Sequence, residues 1–240
     1  LDKKIVIIPT YNEKENIEAI IRKVFSLSIS FDILIVDDGS PDGTGQIVKT
    51  LQQEFPLLNI MERSEKNGLG TAYIAGFKWC LEKGYDYIFE MDADFSHNPD
   101  DLIRLYEGCK KGGDMAIGSR YVTGVNVVNW PMSRVMLSYF ASKYVRMITS
   151  LPIHDTTAGF VCFKSEVLRK INLDDIKFRG YAFQIEMKFT AWKHGFNLVE
   201  VPIIFTDRTL GQSKISNNII REAVWGVLAL KIKSWFKTYN

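Results

Sequence analysis

Two aspartates one residue apart, Asp92 and Asp94, follow the apolar run Tyr87–Met91 and precede the polar segment Ser96-His97-Asn98. Aspartates at positions i and i+2 leave a strand end on the same side. Such oxygen ligands suit a hard divalent cation, Mg²⁺ or Mn²⁺, which proteins often hold by one or two carboxylates completed by phosphates. A metal there would neutralise the negative charge that develops on a nucleoside diphosphate leaving group. Two further polar clusters stand after strand-like runs. Pro9-Thr10-Tyr11-Asn12-Glu13 follows Ile5–Ile8, and Asp37-Asp38-Gly39-Ser40 follows Ile33–Val36. Each alone would pass for a helix cap or turn, because Asp, Asn and Ser are favoured there. In an open parallel sheet, however, ligands bind at the carboxyl ends of the strands. Three such clusters at strand ends therefore converge on one edge.

The elements that must position them alternate. Ile5–Ile8, Ile33–Val36, Tyr87–Met91 and Met115–Ile117 are apolar runs of the kind that buried parallel strands need. Between them, helical patterns cover about Lys14–Phe25, Thr44–Phe55, Leu69–Lys83 and Pro99–Lys110, with Asn98-Pro99 as the expected cap and first turn of the last. That alternation predicts an α/β fold with a mostly parallel sheet flanked by helices. Further on, Pro131–Thr149 reads as a long helix and Gly159–Lys164 as a strand. Ala182–His194 is helical, Leu198–Phe205 a strand, residues 206–218 a loop, and Ile219–Phe236 an amphipathic helix. No linker separates the halves. The expectation is one domain over residues 1–240, with a donor half (about 1–120), an acceptor half (about 121–218) and a C-terminal amphipathic helix (about 219–236).

Several classes fall away. No G-x-G-x-x-G follows the first strand, which argues against a nicotinamide enzyme, and there is no Walker lysine loop or G-x-S-x-G elbow. His97, His154 and His194 lack a metal spacing, and Cys80, Cys109 and Cys162 match neither a zinc site nor a disulfide framework. The cysteines read as buried thiols in a reducing compartment. The net charge of +2 gives no reason to expect a nucleic-acid partner. The opening residues run directly into a strand-like segment, so no leader peptide is expected. No apolar run reaches the roughly 18–20 residues that a spanning helix needs.

The motifs also carry a resemblance. Pro9–Glu13, Val36-Asp37-Asp38-Gly39-Ser40-Pro41-Asp42-Gly43-Thr44, Asp92–His97 and Gly118-Ser119-Arg120-Tyr121 resemble the family-2 glycosyltransferases of GT-A (Rossmann-like) fold. Gly180–Glu186, Glu200-Val201-Pro202-Ile203, Asp207-Arg208 and Gly211-Gln212-Ser213-Lys214 are similar to the acceptor-side motifs of the polyprenyl-phosphate (dolichol-phosphate) mannose synthases within that family. The resemblance runs from about Lys4 to Lys214. It implies that Pro9, Tyr11, Glu13, Val36 and Asp38 hold the nucleoside end of GDP-mannose. It implies that Asp92 and Ala93 contact the donor, and that Asp94 binds a divalent metal with Asp92 nearby. Some relatives carry a metal-ligating glutamine where this chain has Ser96, a shorter ligand. Arg120, Arg208 and Lys214 would surround the phosphates. That placement is physically sound, since a lipid phosphate must approach a nucleotide diphosphate and cations must offset their repulsion.

The implied reaction is an inverting transfer of mannose to a polyprenyl phosphate. A phosphate acceptor is already ionised near neutral pH and needs no strong base. The lipid must be reached from water, so Ile219–Phe236, carrying Ile220, Val224, Leu228, Ile232 and Trp235 with Arg221, Lys231, Lys233 and Lys237, suits an interfacial helix on anionic lipid. Pro131–Thr149 is a second candidate face. The expectation is a peripheral protein on the cytoplasmic face of a membrane, with room for a membrane-anchoring partner protein. The alternatives are a UDP-glucose-dependent polyprenyl-phosphate glucosyltransferase and a non-catalytic nucleotide-sugar-binding subunit of a membrane complex.

Overall fold

The computed structural model describes residues 2–65, 67–180, 182–207, 217–236 and 239. The first half alternates β1 (Lys4–Thr10), α1 (Ile17–Phe25), β2 (Asp32–Asp37), α2 (Thr44–Leu51), β3 (Leu58–Glu62), α3 (Leu69–Glu82), β4 (Tyr87–Glu90), α4 (Asp101–Lys110) and β5 (Met115–Ser119). The remainder comprises β6 (Val127–Val128), α5 (Met132–Thr149), β7 (Val161–Lys164), α6 (Ser165–Lys170), α7 (Ala182–Lys193), β8 (Leu198–Pro202), β9 (Phe205–Thr206) and α8 (Asn217–Ser234).

A seven-stranded sheet runs in the order β3-β2-β1-β4-β7-β5-β8. All its pairings are parallel except those of β7, which is antiparallel to both β4 and β5. The expected α/β class with a mostly parallel sheet is what forms. The period of two along β1 explains the layering. Ile5 and Ile7 pack with α3 and α7, while Val6 and Ile8 pack with α1, α2 and α4. Both faces are covered, so the strands are apolar throughout rather than alternating.

The differences from expectation are local. β3 is not among the expected strands; it is an edge strand whose residues are mostly half-buried, so its sequence carries little periodicity. α4 is regular from Asp101 rather than Pro99; Asn98 caps the turn that precedes it, its side chain accepting the Asp100 amide (3.1 Å), and that first turn is closed by hydrogen bonds between residues three apart. The expected strand Leu198–Phe205 breaks after Pro202, and its last residues pair with Val127–Val128 as a separate ribbon. Most of the expected loop 206–218 lies outside the described residues.

Candidate active site

The ends of β1 and β2 are stitched into one ledge. Thr10 Oγ1 and Ser40 Oγ both donate to Asp37 Oδ1 (2.9 and 2.6 Å). The Asn12 and Glu13 amides donate to Ser40 Oγ and Thr44 Oγ1, both at 3.0 Å. Gly39 turns with φ +69°, and a Cβ there would come within 3.2 Å of the Arg63 carbonyl oxygen. Asp37 is thus structural, and its neighbour Asp38 is left on the cavity side, 3.2 Å from Arg63 Nε.

The end of β4 carries the paired aspartates. Phe95 adopts φ +59°, a strained value for an aromatic residue. That turn brings the Ser96 amide back to Asp94 Oδ1 at 3.0 Å. The Ser96 hydroxyl beside it is buried and has no hydrogen-bond partner among the described residues. His97 is stacked 4.8 Å from Phe160, and its Nδ1 accepts from the Asp92 amide at 3.3 Å. Burial pushes His97 down to about 4, with the charge of Arg120 adding and that of Asp94 opposing. It is neutral near pH 7, and the lowered value makes it a weak base.

Under this floor lies a second polar layer. Gln184 Nε2 donates to Glu90 Oε2 (2.8 Å), and Lys188 Nζ donates to Gln184 Oε1 (3.1 Å) and the Ala158 carbonyl (2.6 Å). Burial raises the Glu90 carboxyl and lowers the Lys188 ammonium, and each charge opposes the shift of the other.

Arg120 follows β5 and enters the same cavity, held by a partner that the sequence motifs do not name. Its Nε and Nη2 donate to Asp155 Oδ2 and Oδ1, each at 2.7 Å, and Nη2 also donates to Thr157 Oγ1 at 2.9 Å. Asp155 is held in turn by Glu200, whose Oε1 accepts its amide at 2.9 Å while Oε2 accepts that of His154 at 2.7 Å. The Glu200 motif therefore supports Arg120 from behind. In the motif Gly180–Glu186, Glu186 Oε2 accepts the amides of Lys177 and Phe178 (2.8 and 2.9 Å), fixing the loop that leads into α7.

The strand-end groups, Arg120 and Gln184 border one cavity of about 800 Å³, and the buried groups that hold them stand behind its wall. Pro9, Tyr11, Glu13, Asp38, Asp92, Ala93, Asp94, Ser96 and Arg120 line it, as expected from the sequence. Val36 does not: it lies inside β2, whose two faces are both covered, and its side chain is fully buried in the core beside that of Leu34. Arg208 and Lys214 lie outside the described residues. Tyr73, Arg134 and Gln184 also line the cavity; Tyr73 and Arg134 belong to none of the sequence motifs, and Gln184 lies within the motif Gly180–Glu186, which does not single it out. Arg134 donates to both carboxylate oxygens of Asp207 (2.9 and 3.1 Å) and lies 4.2 Å from the Trp130 ring centroid. The far end of the cavity is apolar, walled by Leu137, Phe140 and Val145 of α5, Ile185 of α7, and Val224 and Val227 of α8.

A parallel-sheet edge with paired aspartates, a buried arginine and an apolar annex defines a sugar-transferase type of site. The family model described as glycosyl transferase family 2 matches residues 5–171, and the chain belongs to that family. It is 48% identical over 231 residues to the polyprenol monophosphomannose synthase of Mycolicibacterium smegmatis, covering 94% of this chain and 87% of the relative. Among solved structures, glucosyl-3-phosphoglycerate synthase from Mycobacterium tuberculosis, in complex with Mn²⁺, UDP-glucose and phosphoglyceric acid, matches with TM-score 0.67. Its identity is 13%, over 97% of this chain and 79% of that one. A mannosyltransferase from Pyrobaculum calidifontis, in complex with GDP-mannose and Mn²⁺, matches with TM-score 0.62 at 17% identity, over 99% and 66%. The fold is therefore that of GT-A glycosyltransferases.

Proposed function

We propose that this glycosyltransferase moves mannose from GDP-mannose to a polyprenyl phosphate, with inversion, giving polyprenyl-phosphate mannose and GDP. The observation that carries the reading is the single cavity that joins the aspartate floor to an apolar annex between α5, α7 and α8. A water-soluble acceptor has no use for that annex; an isoprenoid tail does. The mannosyl and polyprenol parts follow the 48%-identical relative.

Among the described residues no three His, Cys, Asp or Glu side chains gather into a complete metal cage. A metal completed by the diphosphate needs no such cage. Asp94 and Asp92 supply carboxylates, and the buried Ser96 hydroxyl beside Asp94, without a partner among the described residues, is available as a further oxygen donor. That donor set fits Mg²⁺ or Mn²⁺. When bound, the cation would stabilise negative charge on the departing GDP.

The chain's own groups do the rest. Pro9, Tyr11, Glu13 and Asp38 hold the nucleoside, while Asp92 and Ala93 border the sugar and diphosphate. Arg120, fixed by Asp155, presents its charge to the phosphates without rearranging, and Arg134 stands by the segment that leads to Arg208 and Lys214. An oxygen of the lipid phosphate attacks the anomeric carbon as the bond to GDP breaks. The attacking oxygen carries no proton, so the neutral His97 is not required.

The lipid comes from a membrane that the protein touches peripherally, on its cytoplasmic side. Met132, Met136 and Met147 of α5 and Trp225, Ile232 and Trp235 at α8 are exposed, and Lys231 and Lys233 flank them. Apolar anchors beside cations suit an anionic interface. No described helix is long and apolar enough to cross a bilayer, and a membrane-anchoring partner is compatible with this face.

A UDP-glucose donor is the second reading, since one of the fold neighbours binds that donor. Thermal protection separates the two. A ligand at a hundred times its Kd stabilises the native state by about 2.7 kcal/mol. With Mn²⁺ present, GDP raises the melting temperature more than UDP at equal concentration. Stronger protection by UDP would transfer the assignment to glucose.

A further inference from the structure

Tyr73 of α3 stands completely buried in the cavity wall. Its ring lies parallel to Phe183 (centroids 6.0 Å apart, planes 5°) and near-parallel to Phe77 (6.1 Å, 23°). The hydroxyl makes no hydrogen bond to any described residue. A buried hydroxyl without a partner costs free energy, and a phenylalanine would stack on the same rings without that cost. A hydroxyl kept under these conditions is explained by a partner that arrives with a ligand.

The chemistry of that ligand follows from the surroundings. Beyond burial itself, the charges of Asp92, Glu90 and Asp94 all act to keep the Tyr73 proton in place. Carboxylates on this side accept hydrogen bonds from neutral hydroxyls. Gln184 borders the same cavity, with its amide oriented by Glu90 and Lys188. Gly159 leaves that amide uncovered: a Cβ there would stand 3.9 Å from Gln184 Nε2. A phenol and a carboxamide, both donor and acceptor, suit a polyol.

We propose that the Tyr73 hydroxyl and the Gln184 carboxamide form the subsite that reads the hydroxyls of the transferred hexose, with Tyr73 a specificity-determining residue. The proposal rests on the nucleotide-sugar reading above. Both groups are held in place, Tyr73 by stacked rings and Gln184 by hydrogen bonds to Glu90 and Lys188. A site built to hydrogen-bond a substrate hydroxyl discriminates strongly against a sugar that presents it differently.

Tyr73→Phe in the full chain tests this. The variant melts at or above the wild-type temperature, and GDP protects it as it protects wild type. The extra protection that GDP-mannose gives over GDP is lost, because only the sugar has lost a contact. The kcat/KM for GDP-mannose falls about 10-fold, the effect of one neutral hydrogen bond made in the transition state. The preference for GDP-mannose over GDP-glucose narrows by a similar factor. Unchanged kcat/KM and unchanged differential protection would overturn the subsite. An equal loss of protection by GDP and GDP-mannose would also overturn it, by showing a structural role. If wild type instead transfers from UDP-glucose, the donor reading has failed, and the same comparison made with UDP-glucose and UDP decides the role of Tyr73.

Discussion

Asp94→Asn reduces turnover by about 10³-fold or more while the protein melts within a few degrees of wild type. The substitution keeps the side-chain shape and an oxygen that can accept the Ser96 amide, so the tight turn at Phe95 survives. What it removes is the negative charge on which the proposed metal site depends. Loss of a cation that stabilises the leaving group forfeits several kcal/mol of transition-state stabilisation, and about 4 kcal/mol corresponds to 10³ in rate. Donor binding that depends on Mn²⁺ is lost with it, whereas metal-independent GDP binding is retained in part. Initial rates across a Mn²⁺ titration, with a melting curve on each protein, provide the check. Near-wild-type turnover at saturating Mn²⁺ would remove Asp94 from the metal site.

The largest effect on stability is expected at Asp155. This carboxylate is fully buried and holds Arg120 through two 2.7 Å hydrogen bonds. Asp155→Ala leaves the guanidinium buried with no carboxylate opposite, which costs about 3–5 kcal/mol. Asp155→Asn retains an acceptor and loses less. Urea unfolding of the three proteins measures the order wild type, Asn, Ala; an Ala variant within about 1 kcal/mol of wild type would show that the pair carries no weight. The pH dependence follows the same groups. Burial works to raise the Asp155 carboxyl, but the charge and hydrogen bonds of Arg120 prevail and hold it below its usual value. A depressed carboxylate contributes stability above its unfolded pKa, near 3.9, and loses it as the pH falls further. His97 acts earlier. Its folded value of about 4 lies below the unfolded one, near 6.5, so the stability tied to its neutral form is complete above about pH 6.5 and declines as the pH falls towards 4. His97→Gln therefore flattens the upper part of the acid limb and leaves the part below about pH 4 in place.

The parts of the site that are legible in the sequence share one property: each is a contiguous motif at the end of a strand. Pro9–Glu13, Asp37–Ser40 and Asp92–Asp94 are local in sequence, and a parallel sheet necessarily brings such segments to one edge. The residues that escape come from helices and long returns. Asp155 reaches Arg120 across 35 positions and Gln184 reaches Glu90 across 94. No periodicity encodes such pairings; they depend on β7 entering antiparallel between β4 and β5. Tyr73 looks like an ordinary core position of an apolar helix, and only its buried hydroxyl, unsatisfied by the described residues, sets it apart. Val36 is misplaced for a related reason: the motif reads as a unit, although Val36 still lies within β2 between covered faces and only Asp38, past the strand end, reaches the cavity. The exposed face of α8 is partly legible. Val224, Ile232 and Trp235 are exposed as expected and Leu228 is half-buried, whereas the intervening Val227 and Leu230 pack against α5 and α7.

The most direct measurement is a transfer assay with sugar-labelled GDP-mannose, UDP-glucose and GDP-glucose, each offered a polyprenyl phosphate or a simple sugar alcohol, with Mn²⁺ and with chelator. Label from GDP-mannose should move into the lipid phosphate, stop with chelator, and recover when Mn²⁺ is restored. The sugar alcohol should receive none, because the proposed reaction relies on an acceptor oxygen that is already ionised. Transfer to the sugar alcohol but not to the lipid phosphate would contradict the account, whichever nucleotide sugar proved to be the donor.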